Sequence, residues 1–228
     1  MTPALGWGAL AASSLVIGAL LGLARTWPDR AVGVVLAFGA GALVSAVSFD
    51  LFEEGLKIGS KAAVAGGLAV GALTYFVLDR LVERRGSGNG AGPALALGAF
   101  LDGIPEQAVL GIGLAEGGGV SVSLLAAIFV SNLPEAIGSA SDMRAAGTKP
   151  ATIRRLWLAV AVVCTLASVA GYAIADTASG DLKAAINGFA AGALLVMLID
   201  SMIPEAARKA GDVAGLATVL GFAVATAL

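Results

Sequence analysis

Two apolar stretches of the chain hold the same acid-centred phrase, Phe100-Leu-Asp-Gly-Ile-Pro-Glu106 and Phe129-Val-Ser-Asn-Leu-Pro-Glu135. They superpose at a fixed offset of 29 residues, with Phe, Pro and Glu in step. On a helix, Asp102 and Glu106 stand four residues apart and share a face, as do Ser131 and Glu135, while Asn132 and Glu135 are three apart. Pro105 and Pro134 each withhold the N–H that would satisfy the carbonyl four residues earlier, and each ring crowds that carbonyl. A bend at each proline is therefore expected, leaving backbone oxygen beside the acids. With the two bends facing each other, Asp102, Glu106, Asn132 and Glu135 offer three carboxylates and an amide, joined by the Ser131 hydroxyl and freed carbonyls. That is an oxygen-rich shell suited to a divalent cation. Gln107, Ser139 and Asp142 lie on the same two helices and are secondary or pathway candidates.

The setting makes these acids costly. An ionisable group deep in a membrane helix marks a functional site by default. Each carboxylate near a helix centre costs roughly 2.5–3.5 kcal/mol on insertion scales, so three uncompensated acids cost about 8–10 kcal/mol, comparable to the stability of a whole protein. No Lys or Arg lies within residues 92–115 or 120–142 to neutralise them. Protonation, water or a bound cation must do so. Three readings remain open on the residues alone: a metal site, a proton relay without metal, and protonated carboxyls bonded to neighbouring helices.

Composition explains why a membrane is invoked. The chain has 228 residues, 58% hydrophobic and 13% charged, with 32 glycines and a mean hydropathy of +0.91. A soluble domain carries about 25% charged residues. The fold class expected is all-α, a polytopic membrane protein forming one transmembrane domain over residues 1–228. The net charge of −2, with no basic patch interleaved with aromatics, gives no reason to expect a nucleic-acid partner. The single cysteine, Cys164, permits no intrachain disulfide, and the absence of histidine excludes a structural Cys/His zinc site. The first apolar run has no Lys or Arg ahead of it, so it lacks the basic region of a cleaved signal peptide and is expected to stay as a helix.

Apolar runs of about 17–25 residues predict about eight spans, at roughly 4–24, 31–52, 62–82, 92–115, 120–142, 156–175, 184–204 and 213–228. The linkers are short; Gly86 to Gly92 reads as the flexible one and Gly117-Gly-Gly119 as a tight reversal between the two signature helices. Trp7, Trp27 and Trp157 fall near span ends, where interfacial anchors belong. Eleven of the fourteen Lys and Arg lie in one set of alternate loops, from Arg25 and Arg30 to Arg208 and Lys209, against Lys57, Lys61 and Lys183 in the other. The richer set reads as cytoplasmic, which places both termini outside the cell membrane.

A second echo reinforces the first. Gly41-Ala-Leu-Val with Asp50 and Glu54 in the second span matches Gly192-Ala-Leu-Leu with Asp200 and Glu205 in the seventh. The second pairs with the seventh and the fourth with the fifth, each pair running in opposite directions. That is the pattern of an inverted repeat, which in transporters places the site at the repeat interface near the midplane. Asp50 and Glu54 read as an entrance or as solvated groups, Asp200 and Glu205 as exit-side or interfacial ones. Cys164 reads as packing.

The phrase Asp-Gly-Ile-Pro-Glu at 102–106 and Asn-Leu-Pro-Glu at 132–135, on the fourth and fifth of about eight helices, resembles the signature of the Zrt/Irt-like (ZIP) family of divalent metal transporters. The resemblance extends over the eight-span plan and the outside termini. It implies an alternating-access transporter moving a divalent transition metal toward the cytoplasm: zinc first by family, with manganese or iron as possible cargo. It implies that Glu106 and Glu135 are the central ligands and that Asp102 and Asn132 complete the shell. It further implies that helices one, four, five and six move against two, three, seven and eight, and that the latter group forms a homodimer. No covalent step and no organic cofactor are expected, so the protein is not expected to be an enzyme. Two features depart from the family. Asp102 stands where histidine is usual and Gly103 where asparagine is, and the sixth span has no acid between Arg155 and Asp176. Rival readings are a proton-relay or non-metal cation transporter, an intramembrane carboxylate hydrolase, whose second Asp is replaced by Asn132, and a metal sensor or scaffold without flux.

Overall fold

The structure is a computed structural model. It describes the backbone of residues 1–86, 91–115, 120–175 and 177–228, and within these all side chains except those of residues 82, 83, 85, 86 and 91–102. Among the described residues it is all helix, with no strand. α1 is Thr2–Ala24. α2 joins Asp29–Ala46, a π-helical stretch Val47–Glu53 and Glu54–Ile58. α3 is Lys61–Gly86, α4 Ala91–Ala115, α5 Val122–Ala145 and α6 Pro150–Ala175. α7 joins Gly180–Met197, a second π-helical stretch Leu198–Met202 and Ile203–Ala210; α8 is Ala214–Thr226.

Six segments among the described residues are long and apolar enough to cross a membrane: Thr2–Ala24, Asp29–Ile58, Lys61–Leu81, Val122–Ala145, Pro150–Ala175 and Gly180–Thr226. The last runs 47 residues and contains both α7 and α8, divided at Gly211, whose φ of 64° turns the chain. The protein is an all-α polytopic membrane protein. Helices occupy all eight expected stretches, with boundaries moved in three of them: α2 continues to Ile58, α6 starts at Pro150, and α7 starts at Gly180 and continues to Ala210. Local signals explain several starts. The hydroxyls of Ser121 and Ser179 accept from the Leu124 and Leu182 amides, capping α5 and α7, and Pro150 opens α6, where its missing N–H costs nothing. The linker at 87–90 and the reversal at 117–119 lie outside the described residues.

α4 and α5 stay helical through Pro105 and Pro134. π-helical geometry appears in α2 and α7, at the two stretches named above. Such stretches insert a residue into the turn, shift the hydrogen-bond ladder and concentrate at functional sites. Each carries one of the paired acids, Asp50 in α2 and Asp200 in α7.

Helix pairing follows the internal echo. α2 packs on α8 and α3 on α7; α1 packs on α5 and α4 on α6. Exchanging α1 with α6, α2 with α7, α3 with α8 and α4 with α5 turns each of these pairings into another. The contacts are correspondingly intimate: Gly41 abuts the Thr218 carbonyl and Gly221 that of Phe38, while Gly192 abuts the Leu68 carbonyl and Gly71 that of Phe189. Lipid offers no hydrophobic drive between helices, so small residues that let backbones touch supply the packing energy. Two apolar clusters result. One gathers α2, α4, α7, α8 and the first half of α5 through Ile128, with Ala11 of α1 and Tyr75 of α3; the other gathers α1, α6 and the second half of α5 from Ala136. The phrase from Ser131 to Glu135 lies where α5 passes from one cluster to the other. Trp157 is not an interfacial anchor: it is 1% exposed inside the second cluster.

Candidate functional site

Glu106 is 1% exposed and Asn132 3%, on two helices that contact each other. Ser131 and Pro134 are buried beside Asn132, and Glu135 is half-buried. Gly39 of α2 faces both α5 and α7: a side chain added there would strike the Ser131 Cα at 2.9 Å and the Met202 methyl at 3.2 Å. Met202 ends the π-helical stretch of α7. The α5 phrase therefore packs on α2, close to where α2 meets the end of the α7 π-stretch. Asn132 Nδ2 is buried with no hydrogen-bond partner among the described residues. A buried donor in that condition is costly and calls for an explanation.

Asp102 lies outside the residues whose side chains are described. Its neighbour Gly103 is described, and a Cβ there would come 2.5 Å from the Cys164 sulfur. α6 thus packs a thiol against α4 where a larger residue would collide, a direct reason for glycine at this position. Gln107 reaches α1: its Oε1 lies 3.4 Å from where a side chain at Gly8 would begin. Among the described residues no three His, Cys, Asp or Glu side chains cluster closely enough to hold a metal ion. The donor set read from the sequence includes Asp102, outside that set, and the Asn132 amide and Ser131 hydroxyl, which are other ligand types.

The flanking acids fall into two places. Asp50 and Glu54 line a cavity of about 440 Å³ with Lys57, Val109, Ser121 and Asn187, at the end of the bundle where α2 finishes and α5 and α7 begin. Asp50 accepts from the Ser121 hydroxyl at 2.7 Å and the Ser123 hydroxyl at 2.6 Å, tying α2 to the start of α5. At the opposite end, Glu205 receives the Lys209 ammonium at 2.6 Å. The Lys209 side chain is only 12% exposed, and its nitrogen lies 3.4 Å from where a Cβ on Gly138 of α5 would stand. Asp142 and Asp200 are exposed. Ser139 is half-buried, with its hydroxyl unbonded among the described residues.

Lys209 is the residue that sequence reasoning placed wrongly. It reads as a loop cation, yet it belongs to the last turn of α7 and is inserted against α5. Gly138 follows Glu135 by three residues, so a cation from α7 stands about one turn from that acid. The absence of Lys and Arg from α4 and α5 themselves concealed it. The four-residue spacing to Glu205 announces an ion pair, but nothing local announces its burial.

No family model matches the chain. A protein of Arabidopsis thaliana named Putative zinc transporter is 28% identical over 200 residues, covering 82% of this chain and 32% of that protein. The similarity thus takes in most of this chain, which spans about a third of the length of that curated relative.

Proposed function

We propose that the protein carries a divalent transition-metal cation across the cell membrane toward the cytoplasm by alternating access, with Glu106, Glu135, Asn132 and Asp102 as the binding groups. The observation that carries this reading is the duplicated Pro-Glu phrase set in apolar helices, with Glu106 and Asn132 buried and no Lys or Arg on either helix between residues 92 and 142. A cation is the group that compensates such acids without removing their oxygen donors. The name of the Arabidopsis relative supports a metal as cargo and favours zinc. The two-helix signature supports membership of the ZIP family.

The asymmetry of the two ends supports one state of the cycle. With the Lys- and Arg-rich loops taken as cytoplasmic, the 440 Å³ cavity lies on the outer side and the Lys209–Glu205 pair on the inner side. The arrangement is that of a carrier open outward and closed inward. Both termini then lie outside. The exposed apolar residues Leu73 and Val77 of α3 and Leu216 and Val219 of α8 suit lipid on a monomer, or the homodimer contact that the family resemblance implies. Binding and release need no covalent step.

The test is flux into liposomes reconstituted with purified protein. Glu106→Ala and Glu135→Ala are each expected to abolish zinc and manganese uptake while leaving the protein folded and inserted. Removing one acid relieves repulsion among the others, so the fold survives. Uptake near the wild-type rate in both variants would overturn the assignment. Proton flux without metal flux in the wild type would favour the relay instead.

A further inference from the structure

We propose that the outer cavity holds a divalent cation of its own, bound by Asp50 of α2, Ser121 at the start of α5 and Asn187 of α7, at a waypoint separate from Glu106 and Glu135. Its role as a waypoint rests on the transport reading; the binding itself does not.

Three observations meet here. The first is a negative charge with no countercharge. Asp50 accepts two serine hydroxyl bonds, and no basic side chain pairs with it among the described residues. Lys57 lines the same cavity, but its ammonium is held by Glu53 at 3.1 Å and Glu54 at 3.3 Å and remains largely exposed. Its charge is therefore committed at the rim. The second is an orphaned acceptor. Asn187 is 3% exposed, lines the same cavity, and its Oδ1 has no hydrogen-bond partner among the described residues. A buried carbonyl oxygen without a donor is unusual and costly. The third is room. At ~30 Å³ per water, a 440 Å³ cavity takes a cation together with much of its hydration shell.

The serines prepare the carboxylate. An ionised carboxylate has about four lone-pair sites, so two hydroxyl bonds fix its orientation and leave about two sites for a metal. Ser121 is itself held, 3.2 Å from the Ser123 hydroxyl and accepting from the Leu124 amide at 3.1 Å. Asp50 sits in the π-helical stretch, where the shifted ladder turns it toward α5. Capping α5 would account for Asp50 alone, but it leaves the Asn187 oxygen unexplained. Carboxylate, hydroxyl and amide oxygens are hard ligands that favour partly hydrated Mg²⁺- or Mn²⁺-like ions and discriminate weakly. Such a site collects cations without selecting among them, which suits a position ahead of a selective centre.

Manganese provides the probe. In the Glu106→Gln/Glu135→Gln double variant, titration with Mn²⁺ followed by electron paramagnetic resonance is expected to show one bound ion per chain. Asp50→Asn added to that background is expected to abolish it, and Asn187→Leu to weaken it roughly tenfold, as expected when a site loses charge or a ligand. Asn187→Leu leaves the serine-capped start of α5 intact, so it reports on the site even if Asp50→Asn folds poorly. No bound manganese in the double variant, or one ion that survives both additional changes, would overturn the proposal. A wild-type protein that binds this ion yet moves no metal would sink the transport reading and leave the site standing.

Discussion

At the scale of the residue, the position most open to test is Asp102. It stands four residues from Glu106 where proteins of similar signature carry histidine. Imidazole favours zinc, whereas an all-oxygen shell suits harder ions. Asp102→His also lowers the negative charge of the site, which penalises ions held by charge alone. The variant is expected to raise the ratio of zinc to manganese initial uptake rates about tenfold, equivalent to about 1.4 kcal/mol. An unchanged ratio in an active variant would remove Asp102 from the ligand set. That Glu106 and Asn132 sit in apolar helices was legible in the sequence, and the structure adds that both are buried on helices that contact each other. The Ser121–Asp50 bond was not legible: its partners are 71 residues apart, and no local pattern joins them. Gly103 was legible only as a departure, and its reason, the thiol of Cys164, lies across the bundle on α6.

At the scale of the element, apolar run length revealed where helices lie, because the bilayer sets that length. It did not reveal which faces touch. Gly66 and Gly67 are adjacent small residues in α3 and read alike, yet a Cβ on Gly67 would collide with the Ala185 carbonyl of α7 while one on Gly66 meets nothing within 4 Å. Gly67→Ala is therefore expected to destabilise the protein by about 1–3 kcal/mol, the range for overpacking against atoms that cannot move aside. Gly66→Ala is expected to be neutral or slightly stabilising, since alanine is the better helix former. Thermal unfolding in detergent compares the two directly, and equal midpoints would refute the α3–α7 packing. The π-helical stretches were likewise invisible in advance. The prolines drew attention to α4 and α5, but a π-turn needs no proline, and the irregular backbone appears in the partner helices α2 and α7. The inverted echo pointed to the right pair of helices for a different reason, their matching Gly-Ala-Leu and acid pattern.

At the scale of the whole molecule, topology is the first matter to settle. Thr148→Cys, between α5 and α6, is expected to resist impermeant thiol reagents in whole cells, and Thr177→Cys, between α6 and α7, to react; both are made in a Cys164→Ser background. The steep bias of Lys and Arg across the loops drives this expectation. Reaction at the first site with protection of the second would invert the sidedness, and with it the direction of the open cavity.

On the transport reading we propose, closure of the inner end hangs on the pair at the foot of α7. Lys209 is inserted between Glu205 and the glycine face of α5, and the backbone at Gly33 of α2 packs against its Cβ, so three helices meet around one cation. In that reading the inner end opens when α5 leaves Lys209, with α2 and α7 holding it from the other side. Lys209→Ala removes both the charge and the stem that fills this junction. Glu205 is about two-fifths exposed, so the pair is partly screened and contributes on the order of 1 kcal/mol, about a fivefold change in the balance between closed and open forms. A cysteine at Ser139, one residue beyond Gly138, is expected to react with a maleimide about fivefold faster in the Lys209→Ala protein than in its parent. Lys209→Arg, which keeps the charge but not the fit, is expected to fall between them. An unchanged rate at Ser139→Cys would show that the inner end is held shut by helix packing alone and that Lys209 is a bystander to the cycle.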